Sequence, residues 1–179
     1  MILGVMSDTH GHITQMRGAA VRMFEEFHVE LLIHLGDDST DADELSALGY
    51  EVLFVPGIYE QRYNDPKIPK RLVKNFDGIP FLLTHTPAIN PNDRPEDVDP
   101  TAMAQDGDVK VVLHGHIHKP EIYEKHGAIY INPGHLKEGM DRGSPPTFAI
   151  VETSPSKLRV RIVHLDGQIL EDKMFHVGV

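Results

Sequence analysis

Four short segments carry side chains of the kind that hold transition metals: Asp8-Thr9-His10, Gly36-Asp37, Thr84-His85 and Gly115-His116-Ile117-His118. Together they offer two carboxylates and four imidazoles. Such a set suits Mn, Zn, Fe, Ni or Co better than Ca or Mg, which prefer shells of oxygen alone. Six protein ligands exceed the four of a single zinc site. With one bridging carboxylate they can hold two ions roughly 3.5–4 Å apart, a pair that clamps a phosphoryl group and lowers the pKa of a water between them. The chain has no cysteine, so thiolate ligands and disulfides are excluded.

Each segment follows an apolar run that reads as a strand. Ile2 to Met6 leads to Asp8, Leu31 to Leu35 to Asp37, Ile79 to Thr84 to His85, and Val109 to Leu113 to His116. Another run, Val52 to Val55, ends in Pro56-Gly57. Between the first two strands, Ile13, Met16, Ala20, Met23, Phe24 and Phe27 recur at three- and four-residue steps, which predicts a helix with one buried face. Asp41 to Leu48 can form a second, short helix, with Asp41, Asp43 and Glu44 as its charged first turn. Strand, helix, strand, helix, strand predicts a parallel sheet with right-handed crossovers, whose ligands bind beyond the carboxyl ends of the strands.

The second half changes character. Arg71 to Phe76, Asp77-Gly78 and Ile79 to Thr84 predict a hairpin. A polar, Pro-rich loop from Pro87 to Pro100 and a short helix to Gln105 follow. Further strands are expected at 121–124, 128–131, 147–151, 158–164 and 169–175. The expected fold class is α/β: two mixed sheets packed face to face with flanking helices, an αββα sandwich, the later strands mostly antiparallel. The whole chain, 1–179, is expected to be a single domain.

The composition, 40% hydrophobic and 25% charged, is that of a globular protein. No apolar run reaches the roughly 18 residues of a membrane helix. The apolar N-terminus lacks the basic lead and small-residue cleavage site of a signal peptide, so a cytoplasmic location is expected. A net charge of -10 disfavours extended nucleic-acid binding. It still permits a small nucleotide-like substrate, because bound cations reverse the local field. The sequence leaves open a homo-oligomer.

In order and wording, SDTHG, GDD, THTP and GHIH resemble the calcineurin-like metallophosphoesterases, above all their small bacterial and archaeal phosphodiesterase branch, which also contains the retromer subunit of this fold. Ile131-Asn132-Pro133-Gly134 matches a further segment of that branch, so the resemblance runs from Met1 to about Gly134. It implies that Asp8, His10 and His118 bind a first metal, that Asp37 bridges, and that His85 and His116 bind a second. It also implies two divalent transition-metal ions, manganese first among them, and a small phosphoester substrate.

One position departs from the pattern. The family carries Gly-Asn after the third strand, with the Asn on the second metal, whereas this chain has Gly57-Ile58-Tyr59-Glu60. Ile58 cannot coordinate. Glu60, on the same loop, is the expected replacement ligand, ahead of Asp38 or a water. Tyr59, Glu60 or a metal-bound water is the expected source of the leaving-group proton.

The other histidines have plainer readings. His34 is expected to be a satisfied core residue, and His114 to face away from His116 because strand side chains alternate. His28, His126, His164 and His176 fall in ordinary helix and strand patterns. His12 and His135 adjoin the motifs and are candidates for contact with a substrate phosphate. The loop from Pro91 to Asp99 is expected to be a rigid, solvated surface loop, with the alternative that, coming after His85, it borders the site. The expected activity is a metal-dependent phosphodiesterase or phosphatase. The alternative is a binding scaffold that keeps the fold without activity.

Overall fold

The computed structural model describes residues 1–178. Two sheets stack on each other. The first has the order β11-β10-β9-β1-β2-β3, built from β1 (Ile2–Met6), β2 (Leu31–His34), β3 (Val52–Phe54), β9 (Thr147–Ser154), β10 (Lys157–His164) and β11 (Ile169–His176). The second has the order β4-β5-β6-β8-β7, built from β4 (Arg71–Phe76), β5 (Ile79–Thr84), β6 (Val111–Leu113), β7 (Glu121–Lys125) and β8 (Ala128–Asn132). Helices α1 (Ile13–Phe27) and α2 (Asp41–Ala47) accompany the first sheet, and α3 (Pro100–Gln105) the second. This is the αββα sandwich expected from the sequence.

Three apolar clusters match these layers. The central one joins Leu3, Val5, Ile33 and Leu35 of the first sheet to Phe81, Leu83, Val111 and Leu113 of the second. A second packs Met16, Ala20 and Met23 of α1 against Met6, Leu32 and Phe148. A third sets Ala104 of α3 beside Leu82 and Val112. Strands β1, β2, β5 and β6 are therefore covered on both faces, which is why they read as continuous apolar runs rather than alternating ones.

Pairing is parallel where the site is built, β1 with β2, β2 with β3, and β5 with β6. The second sheet is parallel through β5-β6-β8 and antiparallel at its flanks β4 and β7. The C-terminal strands β9–β11 pair antiparallel and join the first sheet through β9 against β1. Among the described residues no helix is long and apolar enough to cross a membrane.

Candidate metal centre

The parallel strands place their carboxyl ends at a common edge of the two sheets. Asp8 and His10 follow β1, Asp37 follows β2, His85 follows β5, and His116 and His118 follow β6. The loops stay paired beyond the strands, with Asp8 N donating to Gly36 O at 2.8 Å, His10 N to Asp37 O at 3.0 Å, and Gly115 N to His85 O at 3.0 Å. Five of these six residues hold left-handed backbone: Asp8 (φ 54°), His10 (46°), Asp37 (48°), His116 (76°) and His118 (61°). Each such residue costs about 1–3 kcal/mol and persists only where its surroundings enforce it. The turn out of the strand is what aims these side chains along the sheet edge rather than across it.

They converge into two groups that share Asp37. Donor atoms of Asp8, His10, Asp37 and His118 lie within 4.8 Å of one another, and so do those of Asp37, His85 and His116. Two glycines make room. A Cβ on Gly57 would collide with the Asp37 carboxylate, and one on Gly115 with Ser7 and Asp8.

The donor atoms fit a metal. Asp8 Oδ1 and His85 Nε2 are buried without a hydrogen-bond partner, an arrangement that is costly unless an ion satisfies them. Their other atoms are fixed. His85 Nδ1 donates to the Leu35 carbonyl at 2.7 Å, which leaves Nε2 to the centre. Asp8 Oδ2 accepts from His116 N at 3.0 Å. His118 Nδ1 donates to Asp141, and its Nε2 faces His10 Nε2 at 3.1 Å and Asp8 Oδ1 at 3.2 Å.

Burial works against the charged form of Asp8, yet the adjoining His118 and His85 outweigh it and hold its pKa below the usual range. Asp37 behaves alike: burial raises it, and the adjoining His85 more than compensates. The centre thus keeps its carboxylates ionised, the state that binds cations.

The residues around the loop after β3 occupy different positions. Ile58 is 7% exposed and takes no part in either group, as an apolar side chain must. Glu60, expected as a replacement ligand, lies outside both groups. Its Oε1 accepts from Asp37 N at 2.9 Å and Gly57 N at 2.5 Å, and its Oε2 accepts from the Ser39 hydroxyl, so its oxygens are already engaged. Tyr59 is 80% exposed, with its side chain in solvent. Asp38 is also exposed and outside both groups.

Of the remaining histidines, His34 is a satisfied core residue. Its Nδ1 accepts from Gly36 N at 3.2 Å and its Nε2 donates to Thr9 Oγ1 at 3.1 Å. Burial pushes its pKa down to about 4, so it is neutral. His114 is buried away from the centre beside Tyr123 and Tyr130, and burial pushes it down to about 4 as well. Both His135 nitrogens are taken, Nε2 near Ser144 O at 3.0 Å and Nδ1 by Lys137 N at 3.1 Å, which removes it as a phosphate contact. His12 Nδ1 accepts from Glu138 N at 3.3 Å.

Two sequence readings hold and gain a second role. Asp41 does begin α2, but its carboxylate is buried and braces the first loop, accepting from Thr9 Oγ1 at 2.6 Å and Gly11 N at 2.8 Å. The 91–99 loop is largely exposed, as expected, but is anchored at Asp93. Asp93 pairs with Arg71 at 2.7 Å with both side chains almost fully buried, and Tyr63 donates to the same carboxylate. Removing one member of such a pair costs about 3–5 kcal/mol. Asn92 of this loop donates to Ile58 O at 3.1 Å, so the loop does border the site. Asp141, the partner of His118, was missed altogether, because nothing in Met140-Asp141-Arg142 distinguishes it from any surface turn.

A two-sheet sandwich with a histidine–carboxylate cluster across its shared edge has the architecture of the metallophosphoesterases. The chain belongs to the calcineurin-like phosphoesterase superfamily, whose domain profile matches residues 1–156. It is 27% identical over 176 residues to a phosphodiesterase of Methanocaldococcus jannaschii, covering 89% of this chain and 97% of that one. Among solved structures, it resembles a predicted phosphoesterase of Streptococcus pneumoniae with a TM-score of 0.72 at 23% identity, covering 98% of this chain and 97% of that one. It also resembles a Vps29 of Entamoeba histolytica solved with zinc, with a TM-score of 0.67 at 21% identity over 98% and 99% of the two chains. These two likenesses concern the fold.

Proposed function

We propose that the chain is a metal-dependent phosphoester hydrolase, a phosphodiesterase by preference, acting on a small phosphoester or nucleotide-like substrate. Asp8, His10, Asp37 and His118 hold one divalent transition-metal ion, and Asp37, His85 and His116 hold a second, with manganese the first choice. The observation that carries this reading is the pair of ligand groups joined at Asp37, with Asp8 Oδ1 and His85 Nε2 buried and unpartnered. Its family membership and its likeness to a phosphodiesterase support it.

When bound, two such ions supply an activated water and neutralise charge on the phosphoryl oxygens. The chain's own residues prepare that chemistry. Leu35 O and Asp141 orient His85 and His118 so that their Nε2 atoms face the centre. Asp37 sets the spacing of the two groups. Tyr59, exposed on the loop after β3, is the residue to which we assign the proton for the departing group.

A second reading is favoured by one residue. Ile58 leaves the second group a ligand short, as a scaffold that has shed its activity would tolerate. Elemental analysis and hydrolysis of an aryl phosphodiester and an aryl phosphomonoester separate the two. The hydrolase takes up about two ions per chain and cleaves at least one ester above a metal-free control. No cleavage of either ester with Mn, Ni, Co or Zn overturns the hydrolase reading.

A further inference from the structure

We infer that Glu60 is a positioning residue, which clamps the bridging Asp37 to the loop of the missing ligand. The inference rests on the two-ion reading above.

The contrast with the ligands carries it. Asp8 and His85 each present a buried atom without a partner toward the centre. Glu60 presents none. Its side chain folds back over the turn closed by Glu60 N donating to Gly57 O at 3.2 Å. One oxygen accepts from Gly57 N at 2.5 Å and Asp37 N at 2.9 Å, and the other from the Ser39 hydroxyl. Three donors from two loops therefore meet on one carboxylate. A carboxylate so placed spends its oxygens on the two loops and lies outside both ligand groups.

The clamp acts where the backbone is least content. Gly36 and Asp37 are consecutive left-handed residues, φ 96° and 48°. The Asp37 N–H that Glu60 receives lies in the peptide between them, so Glu60 fixes the plane from which the Asp37 side chain departs. The Asp37 carboxylate lies over the bare face of Gly57, whose N–H is held by the same Glu60 oxygen. Ser39 is tied in turn, since Arg62 donates to its carbonyl at 3.0 Å while stacking over Phe54. Glu60 thus fixes both ends of the contact that spaces the two groups. Asp37 is one of four ligands in the first group and one of three in the second, so its displacement weakens the second more.

Manganese titration by calorimetry of metal-stripped protein tests this, with Glu60→Ala, Glu60→Gln and Ser39→Ala beside the parent. Gln keeps an acceptor for Asp37 N and Gly57 N and turns its amide to Ser39. The expected result is a loss of about tenfold in affinity for the weaker ion in Glu60→Ala. A smaller loss is expected for the tighter ion, near-parent binding in Glu60→Gln, and an intermediate loss in Ser39→Ala. A ligand role predicts that Glu60→Gln loses the weaker ion about as fully as Glu60→Ala, with the tighter ion untouched. An acid role predicts unchanged affinities throughout, with turnover falling in both Glu60 variants. Either pattern overturns the inference. If Glu60→Ala does not fold by circular dichroism, Ser39→Ala decides: unchanged manganese binding there overturns it too. A parent that binds no manganese overturns the two-ion reading and this inference with it, and that failure is visible before any variant is made.

Discussion

The two ligand groups share Asp37 and differ in how they are assembled. The first takes Asp8, His10 and Asp37 from the loops of one sheet and His118 from the other, so it straddles the sandwich. The second takes His85 and His116 from the second sheet and only Asp37 from the first. The first has four candidate ligands, one of them, His118, backed by the Asp141 carboxylate. The second has three, and Ile58 stands where the family resemblance expects a fourth. Affinity at such a site follows ligand number, so on the proposed two-ion reading the first group would retain its ion and the second exchange one.

The largest effect expected from breaking this asymmetry is at the shared residue. Asp37→Ala removes a ligand from both groups at once. Elemental analysis should find most transition metal lost and hydrolysis abolished, while circular dichroism stays close to that of the parent. Metal content equal to the parent's would show that neither group depends on Asp37.

Asp141→Ala should act on one group alone. Without its carboxylate partner, His118 loses the contact that orients its Nε2. The tighter manganese affinity should fall by about tenfold, with the weaker unchanged. An equal fall at both sites would mean that the 140–146 turn supports the whole centre rather than the first group.

The smallest change sharpens the comparison. In the parent, dialysis should remove one ion well before the other. Ile58→Asn restores the amide that the family resemblance expects at this position and should tighten the weaker ion by a few fold, raising turnover at limiting metal and leaving it alone at saturation. A neutral or harmful outcome would mean that the loop held by Glu60 and Asn92 has no room for a fourth ligand.

Much of this was legible beforehand because the signals were local. The Asp77-Gly78 turn between two strands places β4 and β5 at the bounds expected. The three- and four-residue spacing of Met16, Ala20 and Met23 marks the buried face of α1. Each of the six ligands follows an apolar strand at once, so in a parallel sheet all must reach one edge. What escaped was non-local. β9 pairs with β1 across more than 140 residues, Ile2 opposite Glu152, and no local pattern declares that pairing. Asp41 lies on a helix turn where a carboxylate is ordinary, and only the approach of Thr9 and Gly11 reveals its bracing role. Glu60 sat within reach of the second group in sequence, but which donors would reach it first depended on how the loops after β2 and β3 fold together.

The sequence by itself determined the ligand types, their order and the sheet edge at which they emerge, because strand periodicity and the residues that follow each strand are written within a few positions of one another. It also determined the gap at Ile58, since no folding gives an aliphatic side chain a lone pair. Tertiary structure alone decided which groups share Asp37, which nitrogen of His85 and His118 faces inward, and that Glu60 binds loop backbone and Ser39 instead of joining either group. Those outcomes depend on hydrogen bonds between segments that lie far apart in the chain. Such bonds exist only once the two sheets have brought their loops within about 3 Å of each other.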